Sequence, residues 1–217
     1  MTKNKIIRLR IWLTFFLITL ILSGCNITPS YITNIQTETA TVAYIHYSPP
    51  QEFNIHLEFD YPNSWVLVEI TEYMSMNLRI ISLLDPRSAA AQTPPPIFDG
   101  SHPPEDDFGR VSIIVKPLEL GHTPETEIKT YKKKNGGING VILLSDFKIT
   151  IDGYDTSVVE SQFGPVEGYP SLMFNRLIFF VVDDQLYEID FTISEKERGG
   201  EFEKGYEYFF KSLKIVP

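Results

Sequence analysis

From Ile55 to Tyr61 the chain alternates, with Ile55, Leu57, Phe59 and Tyr61 apolar and His56, Glu58 and Asp60 polar between them. A period of two predicts a strand with one buried face. Pro62-Asn63-Ser64 turns the chain, and Trp65 to Ile70 begins the next strand. Leu78–Leu84 and Val111–Val115 are further strand candidates. Phe147, Ile149 and Ile151 alternate with Lys148, Thr150 and Asp152, and Asp152-Gly153 then supplies two residues that tolerate positive φ in a tight hairpin turn. The returning strand lies around Tyr154 to Glu160. Leu177–Val182 is apolar without interruption, as a central strand covered on both faces requires. Asp183-Asp184 turns it into Tyr187, Ile189, Phe191 and Ile193, which alternate with Glu188, Asp190, Thr192 and Ser194.

Two stretches predict helices. Phe202, Tyr206, Phe209, Phe210 and Leu213 fall on one stripe at helical spacing, with Glu201, Glu203, Glu207 and Lys211 away from it. Such a stripe of aromatics is read as core. Near Pro124 to Lys134, Thr123 is placed to cap, Pro124 sits in the first turn and Glu125 lies near the positive end, with Asn135-Gly136 as the stop. Many strands with a few covering helices imply an α+β fold, an antiparallel β-sheet flanked by helices in an α/β/α sandwich.

The first 25 residues follow a different pattern. Lys3, Lys5, Arg8 and Arg10 precede an apolar or hydroxyl run from Ile11 to Leu22, with no acid among them. At about 1.5 Å per residue those twelve residues span roughly 18 Å. That falls well short of the ~30 Å hydrocarbon core and suits the apolar region of a signal peptide. Leu22-Ser23-Gly24-Cys25 then resembles the lipobox of bacterial lipoproteins. The resemblance implies that residues 1–24 are removed and that Cys25, acylated, becomes the mature N-terminus. Cys25 is the only cysteine, so no intrachain disulfide is possible. Residues 25–52, rich in Thr, Ser, Asn and Pro, read as a lipidated N-terminus with a flexible tether in which Thr41 to Tyr47 is a candidate short strand, and residues 53–217 as one domain. The expected location is the extracytoplasmic face of a cell membrane or envelope, held by membrane lipid through acylated Cys25.

Charge narrows the partners. Losing residues 1–24 removes four of nineteen basic residues and none of the twenty-eight acids, leaving a net charge of −13. Such a surface repels phosphate backbones, which argues against nucleic-acid binding and against docking on anionic lipid. The run Lys132-Lys133-Lys134 is too short to reverse this.

Phe59-Asp-Tyr-Pro-Asn-Ser-Trp65 resembles the "F-x-Y-P-x-x-W" entry of the PsbP-like (Mog1/PsbP) superfamily. The order that follows is also similar: a Gly153-Tyr154 hairpin, a central apolar strand, the run Leu186–Ile193, and a last helix closing on Phe210-Lys-Ser-Leu-Lys-Ile215. The resemblance covers most of residues 53–217 and implies an antiparallel sheet between helices. Its motifs are structural and name no site. Photosynthetic members are accessory subunits of photosystem II, and bacterial members include envelope lipoproteins. The proline-rich stretch 85–109 and the lack of a basic docking face depart from the pattern, so a photosystem role is not carried over.

Familiar catalytic patterns do not stand up. Asp107-Phe108-Gly109 spells a kinase tripeptide without a Gly-rich loop or catalytic-loop motif beside it. Lys134–Gly140 looks like a phosphate loop but follows a helix, at the end that repels anions. No Gly-x-Ser-x-Gly elbow or His-Glu-x-x-His pair occurs. Of the histidines His46, His56, His102 and His122, His56 falls on the polar side of a strand and reads as solvated. Glu188 and Asp190 share one strand face, where two carboxylates are able to act as acid and base; a solvated sheet face accounts for them as well. Asp99-Gly-Ser-His102-Pro-Pro-Glu105-Asp106-Asp107 concentrates oxygen ligands and one imidazole, a candidate for calcium, magnesium or zinc, although its spacing matches no known ligand pattern. No catalytic residue and no cofactor are assigned.

The function expected from this is that of a noncatalytic binding or assembly module with an envelope protein as partner. The alternatives are a metal-dependent or hydrolytic envelope enzyme and a carrier of a small apolar ligand. Between Leu84 and Arg110, Pro86, Pro94-Pro95-Pro96 and Pro103-Pro104 exclude a strand. They predict a long connection suited to partner recognition.

Overall fold

The computed structural model describes residues 42–73, 78–91, 108–136, 140–165 and 171–216. The folded unit begins at Val42, eleven residues before the boundary that the sequence pattern places at residue 53. Strand β1 (Tyr44–Tyr47) accounts for the difference, because it pairs antiparallel with β2 (Leu57–Pro62) and buries Tyr47. The candidate strand near Thr41 to Tyr47 at the end of the tether is thus present as β1.

Most of the strands form one antiparallel sheet. It comprises β3 (Val66–Tyr73), β4 (Leu78–Leu84), β5 (Gly109–Pro117), β6 (Ile142–Ile151), β7 (Tyr154–Phe163), β8 (Met173–Val182) and β9 (Gln185–Ser194). Their order across the sheet is β3-β4-β5-β9-β8-β7-β6, all neighbours antiparallel. The short β10 (Lys214–Ile215) joins β1 and β2 in a second, three-stranded sheet. The expected hairpin at Asp152-Gly153 is present, with φ of 47° and 89°, the left-handed pair that a two-residue turn demands.

Helix α1 (Pro86–Ala91) follows β4, α2 (Pro124–Asn135) lies in the β5–β6 connection, and α3 (Glu201–Ser212) precedes β10. Thr123 caps α2 reciprocally with Thr126, each side chain accepting the other's backbone N–H. Helix α1 lies within the long connection that the prolines between Leu84 and Arg110 predict. Asp85 Oδ1 accepts the Arg87 N–H at 2.8 Å as a cap, Pro86 fills the first position and three alanines complete the turn. Those residues carried a helix signal that the surrounding prolines masked.

The two faces of the large sheet are covered separately. On one side Phe174, Ile178 and Phe180 of β8 join Tyr187, Ile189 and Phe191 of β9 in the main core. Helix α3 closes it with Phe202, Tyr206 and Phe209, all buried. Phe191 stacks on Tyr206 with ring centres 3.9 Å apart. Burying each such aromatic contributes roughly 1.5–3 kcal/mol. The Phe59–Trp65 motif belongs to this core: Phe59 meets Phe209 edge-on at 5.0 Å and Trp65 stacks on Phe202 at 4.4 Å. Gly205 permits the approach, since a Cβ there would stand 2.8 Å from Pro62 Cγ and from Trp65 Cζ2. On the opposite side Ile128 of α2 packs with Val159, Leu177 and Phe179. The Leu177–Val182 run is thus buried on both faces.

Candidate functional site

Cys25 and the cluster Asp99–Asp107, with His102, Glu105 and Asp106, lie outside the described residues. So does the proline-rich stretch from 92 to 107. His56, read from its strand pattern as solvated, is half-buried. It precedes β2, where its Nδ1 lies 3.0 Å from the Val216 carbonyl and its N–H donates to Tyr187 Oη at 2.9 Å. That histidine fastens the C-terminus to the core.

Glu188 and Asp190 do share one face of β9, and the structure corrects the reading of that face as solvated. The N-terminal half of α2 lies beside it. Asn175 Nδ2 donates to Asp190 Oδ1 at 2.5 Å and to Thr192 Oγ1 at 2.9 Å, and Thr192 Oγ1 donates to Asp190 Oδ1 at 2.8 Å. Lys116 Nζ stands between two acids, 3.7 Å from Glu127 and 3.8 Å from Glu188. Burial pushes the Glu188 carboxyl up to about 7, and the charges of Asp190 and Glu127 push the same way against the pull of Lys116. His122 Nδ1 meets Glu127 at 2.5 Å and its Nε2 lies 3.3 Å from Glu119.

A raised carboxyl beside a second acid is the pattern of an acid–base pair. Two hollows lie among the described residues. One, of about 480 Å³, is lined by Glu125, Lys129, Lys132, Asp146, Lys148 and Ser157 among others. Another, of about 240 Å³, lies around Arg79, Pro117 and Asp184. Neither is lined by Glu188 or Asp190 themselves, although the smaller is lined by Lys116, which pairs with Glu188. Among the described residues, no three His, Cys, Asp or Glu side chains are placed to hold a metal ion.

On the α3 side a second polar group sits in the sheet. Arg176 pairs with Glu160 at 2.7 Å and lies over the rings of Phe174 and Tyr206. Burial alone would raise the Glu160 carboxyl, but hydrogen bonds from Ser145 and Arg176 hold it below its usual value. These charges are matched within the fold.

The feature left open is β6. It is the end strand of the large sheet, paired to β7 on one side and to no described strand on the other. Ile142 is 58%, Leu144 47% and Phe147 42% exposed, and Tyr154 of the same hairpin is also exposed. The larger hollow opens beside it, crossed by ion pairs of Lys148 with Glu125 and of Lys132 with Asp146 at 3.2 Å. The sequence pattern set Phe147 on the apolar side of an alternating strand. Alternation marks which residues share a face, but the position of a strand in the sheet is set by topology. The β5–β6 connection with α2 carries the chain from the sheet's interior to its edge, past the reach of α3.

Comparison with solved structures bears on the fold. Cyanobacterial PsbP from Synechocystis sp. PCC 6803 superimposes with a TM-score of 0.52 at 14% identity, over 82% of this chain and 96% of that one. The domain has a PsbP-like fold. Lower scores relate it to Mog1p, the Ran-binding protein of Saccharomyces cerevisiae (0.43, 9% identity, 81% and 97% covered). They also relate it to LpqN of Mycobacterium tuberculosis, involved in cell envelope biogenesis (0.42, 9% identity, 83% and 88% covered). No family model and no curated protein matches the sequence. Within the PsbP-like domain, the Phe59–Trp65 motif acts as a clamp on α3 and not as a binding feature. No helix among the described residues is long and apolar enough to cross a membrane.

Proposed function

We propose that the protein is a noncatalytic binding module, held on the extracytoplasmic face of a membrane by acylated Cys25, that takes protein partners along β6. The observation that carries the reading is the outer β6 edge, paired to no strand among the described residues, with Ile142, Leu144 and Phe147 exposed along it. A free edge offers a row of unpaired backbone donors and acceptors, and a partner strand satisfies them while its side chains use alternate pockets. The Leu22–Cys25 lipobox, the apolar run before it and the acidic mature chain support the location. Two or more acyl chains give durable anchoring where one is marginal.

Two measurements test the reading. Cys25→Ser is expected to abolish acyl labelling and leave unprocessed precursor; a variant still cleaved and labelled removes the anchor. A photo-reactive benzoylphenylalanine at position 147 of the full chain is expected to attach to protein of discrete mass in native membranes. Attachment from probes placed within residues 92–107, with none from 144 or 147, would put the binding face in the proline-rich stretch instead.

A further inference from the structure

We propose that the partner of β6 is β6 of a second copy of this chain, in an antiparallel two-fold pair centred on Phe147. The inference rests on the reading of β6 as the binding edge and names its occupant.

Two-fold symmetry restricts such a pair severely. A two-fold axis perpendicular to the sheet sets one residue opposite its own copy and fixes every other partner. From Ser145 to Ile151 the strand pairs regularly with β7, so its side chains alternate without interruption. Asp146 and Lys148 therefore share one face, with Phe147 on the other. If Asp146 or Lys148 were opposite itself, like charges would meet, which destabilises a cross-strand pair. Centring on Phe147 sets Asp146 opposite Lys148 of the second copy, and Lys148 opposite its Asp146. The same centre brings two exposed rings together across the seam.

The charges already present extend this match. Lys132 of α2 pairs with Asp146, and Glu125 of α2 pairs with Lys148. Across the seam the row becomes Lys132, Asp146, then Lys148 and Glu125 of the other copy, alternating in sign throughout. Helix α2 packs chiefly on β7 and β8, leaving β6 free to be approached. The register shift between Leu143 and Ser145 ends the straight stretch on one side. The shared ladder then centres on Ser145–Ile149, with Ser145 opposite Ile149 of the other copy. An exposed lysine normally protects an edge from pairing. Here Asp146 two residues away turns that protection into selection for the chain's own copy.

A ladder this short buries less than the ~1,200–2,000 Å² of a stable interface, so association in dilute solution is weak. Confinement of tethered copies to one membrane would raise their effective concentration.

The test uses the full chain in mild detergent, with self-association followed by analytical ultracentrifugation. Asp146→Lys and Lys148→Asp are each expected to weaken self-association roughly tenfold or more, because both cross-strand pairs become like-charged. An equimolar mixture of the two variants is expected to restore a dimer, since each then opposes the other. Both positions are exposed, and a thermal melt of each variant verifies the fold. In native membranes Phe147→Cys should give a disulfide-linked dimer, as opposed residues lie ~4.5–5.5 Å apart at Cα, within disulfide reach. Wild-type chain serves as the control for Cys25, and Ile149→Cys should link far less. A dimer indifferent to charge reversal, or a chain monomeric throughout with no linkage at 147, overturns self-pairing. Benzoylphenylalanine at 147 separates the two readings in that event. Adducts with another protein keep β6 as a binding edge for a foreign partner, and no adduct with any protein removes both.

Discussion

Ser88 Oγ accepts the backbone N–H of Phe108 at 2.9 Å, and the N–H of Gly109 at 3.3 Å, from a fully buried position. One hydroxyl therefore joins α1 to the start of β5. The Asp85 N–H closes the same junction by donating to the Gly109 carbonyl at 3.0 Å. Arg87 adds to it by pairing with Asp85 at 2.9 Å and Glu197 at 3.0 Å while lying over the Phe108 ring.

The junction ties Ser88 to Phe108 and Gly109 on either side of residues 92–107. Replacement of that segment by a short Gly-Ser linker is expected to leave the thermal midpoint within a few degrees. Ser88→Ala should instead cost about 1–3 kcal/mol, because two backbone donors lose their acceptor. For a chain of this size that lowers the midpoint by about 2–4 °C per kcal/mol. A cut beginning at Ser88 would destroy the junction and confuse the two effects. If the linker variant melts as far below wild type as Ser88→Ala, the excised segment is packing.

Phe209 and Phe210 are neighbours on α3 with different surroundings. Phe209 is fully buried between Phe59 and Tyr206, whereas Phe210 is only partly covered. Phe209→Ala is expected to cost about 3–5 kcal/mol, the usual range for a deleted core aromatic. Phe210→Ala should cost less than half as much in the same denaturant titration. Equal losses would mean that α3 is rotated from this packing.

What the sequence made legible follows from where burial is one-sided. Leu57, Phe59 and Tyr61 and the α3 stripe each have one wet and one dry side, the Tyr187–Ile193 set has one polar and one apolar side, and period alone recovers all three. The Asp152-Gly153 turn was legible because few residues accept its φ values. Glu188 was not, because alternation shows only that the two faces of β9 differ. That the polar face lies beside α2 depends on where the β5–β6 connection crosses the sheet. The exposure of Phe147 was hidden for the same reason: a hairpin's first strand has the same pattern at an edge as at the centre. Ser88 carried no signal at all, since a buried serine is defined by the two distant N–H groups that it accepts.

Gly205 tests the closeness of α3 to the Phe59–Trp65 motif. Alanine is normally preferred to glycine inside a helix by about 1 kcal/mol. At this position the added methyl would meet Pro62 and Trp65 at 2.8 Å, inside van der Waals contact. Gly205→Ala is therefore expected to lower stability despite its helix preference, by about 1–3 kcal/mol for an overpacked core. A variant more stable than wild type would show that α3 stands further from the turn.

Glu188 gives a pH dependence with a definite sign. Its carboxyl is raised from 4.5 to about 7 in the folded chain, first by burial, then by Asp190 and Glu127, with Lys116 opposing. Tyr131 of α2 feels the same two acids of β9, and burial together with their charges raises its hydroxyl. Between pH 4.5 and about 7 the folded state holds a proton that the unfolded state has released. This group's contribution to stability therefore falls as pH rises through that window, and above about 7 the fold carries a buried anion. Glu188→Gln keeps the shape without the charge. The variant and wild type should be equally stable near pH 4, where the carboxyl is neutral in both states. The variant should gain steadily up to pH 7 and hold its lead at pH 8, by at most about 3 kcal/mol. Urea titrations at those three pH values measure it. Wild type being the more stable at pH 8 would mean that the Lys116 ion pair outweighs burial, and that the face beside α2 is wetter than its geometry indicates.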